Sequence, residues 1–381
     1  MTTHRFGIID DHAHPFPLTP QPLELAEISL DVETGPNGTR RRQDLAAGRL
    51  TLEILQVQLS HYLGCPVHDL KAAREQAARD WPGYVQGLFD DVGVITMLLD
   101  GGPQPLDPPA LADYAALTNR PMRSMFRVEA ALDPMIEAGL GAQEILDGVS
   151  DAISAAAATG AVACKTVLAY RTGLAVDATT TLLDAQASLN TPHNDALPIR
   201  RRGKALRDLV LRQTLAQCGD LELPLQVHTG YGDSELRLAD ADPLGLDDIL
   251  RTPEGQHAQV VLIHAAYPWH EKVAYLAAAR TSVWAEFSLV NLLNPATSAR
   301  RLLELIELAP TTRILVGSDG HGPPETHWFA LTVLRQAWAQ VRTQLDALTR
   351  PSWLDEVEHN IFANNARTLY RLSSTYVGAI H

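Results

Sequence analysis

The sequence predicts a parallel α/β protein closed as a (β/α)8 TIM barrel, and three observations carry that prediction. Short apolar runs alternate with Ala/Leu-rich helical stretches. The runs number eight, the count that closes this barrel. Polar residues gather at their C-terminal ends, where barrel active sites lie. A doubly wound open sheet would carry a Gly-rich turn after its first strand, and DDHAHPFP occupies that stretch here. A chain of 381 residues, 46% hydrophobic and 20% charged, has an ordinary globular balance and is long enough for one large barrel.

The strand candidates are FGIID (6–10), VGVITMLLD (92–100), RSMFRVE (123–129), GAVACKTVLA (160–169), PLQVHTG (224–230), VVLIHAAY (260–267), VWAEFSL (283–289) and RILVGSDG (313–320). Their near-continuous Val/Ile/Leu content fits strands covered on both faces. Helical segments such as AQEILDGVSDAISAAAATG (142–160) and HEKVAYLAAAR (270–280) fall between them. The interval 17–91 breaks this rhythm. Leu52, Leu55, Leu59 and Leu63 repeat at helical spacing there, and DLKAAREQAARDW forms a second helix stopped by Pro82. It reads as a helical insertion after strand 1, either a lid over the mouth or packing on the barrel side. HWFALTVLRQAWAQVRTQLDAL and DEVEHNIFANNARTLYRL follow the eighth run as closing helices, so residues 1–381 form a single barrel with an insertion.

Charge narrows the partners. With 31 basic and 45 acidic side chains the net charge is −14, which argues against nucleic acid and anionic membranes. The clusters Arg40–Arg42 and Arg200–Lys204 read as solvated loops. Cys65, Cys164 and Cys218 lie far apart without a CxxC pair and read as reduced thiols. No signal peptide fits the N-terminus, and no stretch approaches the ~20 apolar residues of a membrane span. The expectation is a cytoplasmic enzyme with a small-molecule substrate, with assembly into a homo-oligomer left open.

Chemistry concentrates on the strand ends. His12 and His14 follow the first run with one residue between them, so strand geometry turns both imidazoles to one side. His228 and His264 end the fifth and sixth runs, and Asp319 ends the eighth. Ligands converging from several strands onto an open position are what a barrel metal site requires, and imidazole suits Zn²⁺ and similar ions. Lys165 sits in the apolar AVACKTVLA, where a charged amine is costly unless paired or neutralised. Either it reacts with CO₂, giving a carbamate that bridges two ions, or it stays an amine beside Glu129 or a substrate carboxylate. Met125, Arg127 and Glu129 alternate on strand 3, so Arg127 and Glu129 are candidates to face inward and contact substrate, or to pair with each other. Tyr170 and Arg171 follow Lys165, and His321 and Glu325 follow Asp319; all four are candidate substrate contacts. Glu286 is a candidate acceptor for the outer N–H of a metal-bound histidine.

These residues together resemble the amidohydrolase superfamily: HxH on strand 1, Lys on strand 4, His on strands 5 and 6, Asp on strand 8. DHAHPF (11–16), CKTVLAYRTGL (164–174), PLQVHTGYGD (224–233), LIHAAYPW (262–269) and SDGHGPPETHW (318–328) are similar to the amidohydrolase domain fused to glutamine synthetase in nodulin-like and FluG-like proteins. IFANNARTLYRL (361–372) resembles the closing helix of amidohydrolase-2 proteins. The resemblance implies a divalent cofactor, zinc first, at one or two ions per chain. His12, His14 and Asp319 would hold the more buried ion, His228 and His264 the more exposed one, and carbamylated Lys165 would bridge them. It implies hydrolysis of an amide, or of a related C–N or ester bond, with Lys165 and Asp319 catalytic and Asp319 moving the proton. A mononuclear decarboxylase or lyase of the same type is the enzymatic alternative. A non-enzymatic assembly or regulatory barrel is the other.

Overall fold

A computed structural model describes residues 6–24, 46, 48–190 and 199–373. All eight predicted runs are strands: β1 (Ile8–Ala13), β2 (Val94–Asp100), β3 (Met122–Arg127), β4 (Ala163–Thr166), β5 (Leu225–His228), β6 (Val260–Ile263), β7 (Val283–Phe287) and β8 (Ile314–Val316). They pair in parallel in chain order. The seam back to β1 is bridged just past β8. There Asp319 N donates to His12 O at 2.8 Å, and His14 N donates to Gly320 O at 2.9 Å.

Strand periodicity explains the two cores. Ile9, Leu98, Met125, Ala163, Val261, Ile263, Trp284 and Leu315 point inward and fill the barrel. Their neighbours Ile8, Met97, Leu99, Cys164, Leu225, Val227, Val260 and Leu262 point outward beneath the helices. Because both faces are covered, the strands carry apolar residues almost without interruption.

The surrounding helices include α1 (Leu50–Leu63), α2 (Leu70–Ala77), α3 (Trp81–Val92), α4 (Pro108–Thr118), α5 (Val128–Glu137), α6 (Ala142–Ala158), α7 (Leu182–Asn190), α8 (Lys204–Asp220), α9 (His270–Ala279), α10 (Ser298–Leu308), α11 (Pro324–Leu345), α12 (Pro351–His359) and α13 (Asn365–Leu369). Asp80 caps α3, its carboxylate accepting from Gly83 N at 3.1 Å, and Asp107 caps α4 in the same way from Ala110 N at 2.9 Å. Helix α3 leads directly into β2. In the 17–91 interval, α1, α2 and α3 meet α11 on the barrel's flank. Glu325 accepts from Arg74 Nε at 2.7 Å and from Tyr84 Oη at 2.8 Å. Trp328 donates to Asp91 Oδ2 at 2.9 Å and packs against Tyr62.

At the opposite end, Ala363, Ala366, Leu369 and Tyr370 close the barrel from below. The Tyr370 hydroxyl reaches up the axis, donating to Asp11 Oδ2 at 3.0 Å and accepting from Gln226 Nε2 at 2.8 Å. Cys65, Cys164 and Cys218 are free thiols. Among the described residues no helix is long and apolar enough to cross a membrane. The Arg40–Arg42 cluster lies outside the described residues.

Candidate metal centre

Three side chains meet at the C-terminal mouth. His12 Nε2 lies 3.2 Å and His14 Nε2 3.3 Å from Asp319 Oδ1. These three are the group of possible metal ligands among the described residues whose donor atoms all fall within 4.8 Å of one another. Each imidazole is oriented through its other nitrogen. His12 Nδ1 donates to Gln226 Oε1 at 2.8 Å, and His14 Nδ1 donates to the Asp100 carbonyl at 3.0 Å. That assignment leaves both Nε2 lone pairs turned toward the carboxylate, the tautomer a metal requires. Gln226 is fixed in turn, because its amide donates to Asp11 O and to Tyr370.

The electrostatics agree with this donor set. Burial lowers His12 to about 4 and His228 to about 3, with Lys165 adding to both shifts, and it holds His264 well below the usual imidazole range. All three are neutral imidazoles at pH 7. Burial alone would raise Asp319, but His264, His12 and His14 hold it well below the usual carboxylate range. Neutral nitrogens beside an ionised oxygen fit a divalent ion of the zinc class.

His228 and His264 stand beside this triad. Ser288 Oγ donates to Glu286 Oε2 at 2.7 Å, so it accepts from His264 Nδ1 at 2.8 Å. His264 Nε2 then accepts from His228 Nδ1 at 3.1 Å, and His228 Nε2 is buried without a hydrogen-bond partner. Glu286 therefore reaches the His264 ring through Ser288, while its own Oε2 also accepts from His264 N at 2.8 Å. Two of the mouth residues hold left-handed backbone without being glycine, His264 at φ 66° and Asp319 at φ 48°. Neighbouring glycines make room for these turns. A Cβ on Gly230 would fall 2.3 Å from the Ala266 carbonyl carbon, and one on Gly320 would fall 2.3 Å from the His327 ring.

Lys165, 2% exposed, donates to Asp100 Oδ2 at 2.8 Å and to His12 Nε2 at 2.9 Å. Its partner is thus Asp100 on β2, a residue the sequence reading did not select, and not Glu129. Arg127 grips the same carboxylate, Nη2 to Oδ2 at 2.5 Å and Nε to Oδ1 at 3.3 Å. Glu129 is no strand residue: β3 ends at Arg127, and Glu129 sits in the first turn of α5. It accepts from Thr166 Oγ1 at 2.6 Å and Val167 N at 3.0 Å, which pins the end of β4.

The mouth opens into a cavity of about 660 Å³. His14, Lys165, His228, His264 and Asp319 reach it, as do Arg127, Glu129, Tyr170, Arg171 and His321. Tyr170 packs on the His228 ring at 4.7 Å and accepts from Asp233 N at 3.0 Å. Arg171 pairs with Asp133 at 2.8 Å. His321 Nδ1 donates to Asp319 O at 3.0 Å. Two expectations change. Glu325 is fully buried on the flank and lines no part of the cavity, because α11 begins at Pro324 and turns it toward Arg74. Arg200 lines the cavity and pairs with Glu235, and Arg201 pairs with Asp240, so this cluster belongs to the rim and is no free loop. No described residue of 17–91 lines the cavity.

Comparison with known proteins places these features. Protein fluG of Emericella nidulans is 31% identical over 267 residues, 65% of this chain but only 27% of that protein's length. Among solved structures, a Lactobacillus casei protein described as a metal-dependent hydrolase superposes with a TM-score of 0.84 at 24% identity, covering 97% of this chain and 96% of the other. A uronate isomerase from Thermotoga maritima superposes at 0.68 with 14% identity, covering 96% and 95%. Both structures share the barrel. Residues 188–372, just under half of the chain, match the sequence profile described as Amidohydrolase.

Proposed function

We propose that the protein is a metal-dependent hydrolase that cuts an amide, or a related C–N or ester bond, in a small carboxylate-bearing molecule. The observation that carries this reading is the His12, His14 and Asp319 cluster at a cavity whose wall also holds Lys165, Arg127 and Arg171. A divalent ion there, zinc by the donor types, supplies Lewis acidity toward a carbonyl and toward water. His12 and His14 would hold it through their Nε2 atoms, and Asp319 would add the anionic oxygen. Asp319 Oδ2, 3.8 Å from His264 Nδ1, is the oxygen turned away from the pair, and it takes the proton of the attacking water and returns it to the leaving amine. Arg127 and Arg171 present guanidinium groups to a substrate carboxylate.

Purified protein, kept free of chelators and supplied with bicarbonate, tests the reading by elemental analysis and an amide screen. The expected result is bound zinc and turnover, with Asp319→Ala losing at least ~10²-fold in kcat. Substantial turnover by Asp319→Ala would sink it. One observation favours a second reading: Lys165 has a buried carboxylate partner and so needs no CO₂ to be tolerated. A one-ion centre also suits a decarboxylase, for which the screen would give carbon dioxide release without amide cleavage.

A further inference from the structure

Asp100, which the sequence reading did not select, joins three residues of the mouth. It is fully buried at the end of β2, where its carbonyl orients His14 and its carboxylate receives Lys165 and Arg127. Gly102 N also donates to Oδ1, at 2.9 Å. We propose that Asp100 is a positioning residue of the metal centre: its carboxylate holds Lys165 aside as an unmodified amine, so that this cation does not compete with the ion for His12. The inference rests on the metal-dependent reading and deepens it, assigning the lysine a role and the centre a single ion.

Two features of the geometry lead there. Lys165 Nζ donates to the same His12 nitrogen that would ligate, at 2.9 Å, so a ligated His12 has no lone pair left for it. The contact Lys165 then keeps is Asp100 Oδ2, at 2.8 Å. Without that carboxylate, a buried cation stands beside a divalent one with nothing between them. Carbamylation would instead set a second anion against the buried Asp100 oxygens, where like charges disfavour each other. Arg127 bonds both Asp100 oxygens and locks the carboxylate in position.

The test is Zn²⁺ affinity, measured by competition with a chromophoric chelator, for wild type, Asp100→Asn, Lys165→Met and the double variant. Asp100→Asn should bind Zn²⁺ ~10–100-fold more weakly, as losses of outer supports do. Lys165→Met should bind about as well as wild type, and adding Lys165→Met to Asp100→Asn should restore affinity. A purely structural Asp100 would give no such rescue. Tight wild-type binding with an unchanged Asp100→Asn, or a double variant as weak as Asp100→Asn, would overturn the proposal alone. A wild type that binds no Zn²⁺ would overturn the hydrolase reading and this one with it. A second measurement needs no Asp100 variant and stands even if Asp100→Asn does not fold. In ¹³C-bicarbonate, no carbamate carbon signal should appear, and one that vanishes in Lys165→Met would refute the assignment.

Discussion

Two buried clusters join a guanidinium to a carboxylate, and they do opposite work. On the flank, Arg74 and Tyr84 converge on Glu325, with Trp81 and Tyr84 rings over the arginine. At the mouth, Arg127 and Lys165 converge on Asp100. The flank cluster is one cation to one anion, sealed between helices. The mouth cluster is two cations to one anion, with Arg127 and Lys165 lining a cavity. Buried ion pairs alone therefore do not mark a site. The charge left over and its access to a cavity do, and that difference separates a fastening from a binding wall.

The comparison breaks first at the flank. Glu325→Ala leaves Arg74 buried without its partner, and a loss of ~3–5 kcal/mol in unfolding free energy is expected. Denaturant melts would measure it, while kcat/KM per folded molecule should stay at the wild-type value. A drop in kcat/KM without loss of stability would return Glu325 to the site. At the mouth the expectation reverses. Arg127→Met should cost ~10–100-fold in kcat/KM, mainly through KM, since it removes a carboxylate contact. A change in kcat alone would show that Arg127 acts only through Asp100.

The smallest effect is a pH dependence of the metal-free protein. His12 and His228, held at about 4 and about 3, stay neutral in the fold yet protonate near ~6.5 once unfolded. The unfolded chain binds more protons below that value, so their contribution is complete above ~6.5 and is lost as pH falls toward 4 and 3. Burial raises Asp10 to about 7 and Glu286 to about 8, and these act in the other direction: their contribution is complete below ~4 and is lost as pH rises toward those values. The two effects oppose each other between about pH 4 and 6.5, and above that only the carboxyls' loss remains, so melting temperature should fall from about pH 6.5 toward 8. Glu325→Ala should lower the whole curve and keep its shape. His228→Phe should flatten the acid limb, and an unaltered acid limb there would show that His228 is not what titrates.

The same pair of clusters shows what a sequence can carry. All eight strands were legible, since each needs only a local apolar run and a stop. His12, His14, His228, His264 and Asp319 were legible because they sit at strand ends, and a barrel turns strand ends to one rim. Asp100 ends its run just as visibly, but a lone aspartate there has no pattern until Lys165 and Arg127 arrive from β4 and β3. Glu325 was misplaced for a related reason. It is six residues from Asp319 in sequence, yet the first turn of α11 points it to the other side of the wall. Gln226 lies inside a strand and Tyr370 lies 359 residues beyond Asp11, so no local spacing joins them to His12.

That last link gives the molecule a direction in time. His12 leaves the ribosome long before Tyr370, and the hydrogen bond that sets its tautomer is accepted by Gln226, itself held by Tyr370. A nascent chain can assemble every strand and still lack the tyrosine that settles the axis of the barrel. The orientation of the first ligand thus waits on a residue made well after it, and a chain halted before Tyr370 would carry all the ligands with the support beneath His12 unfinished.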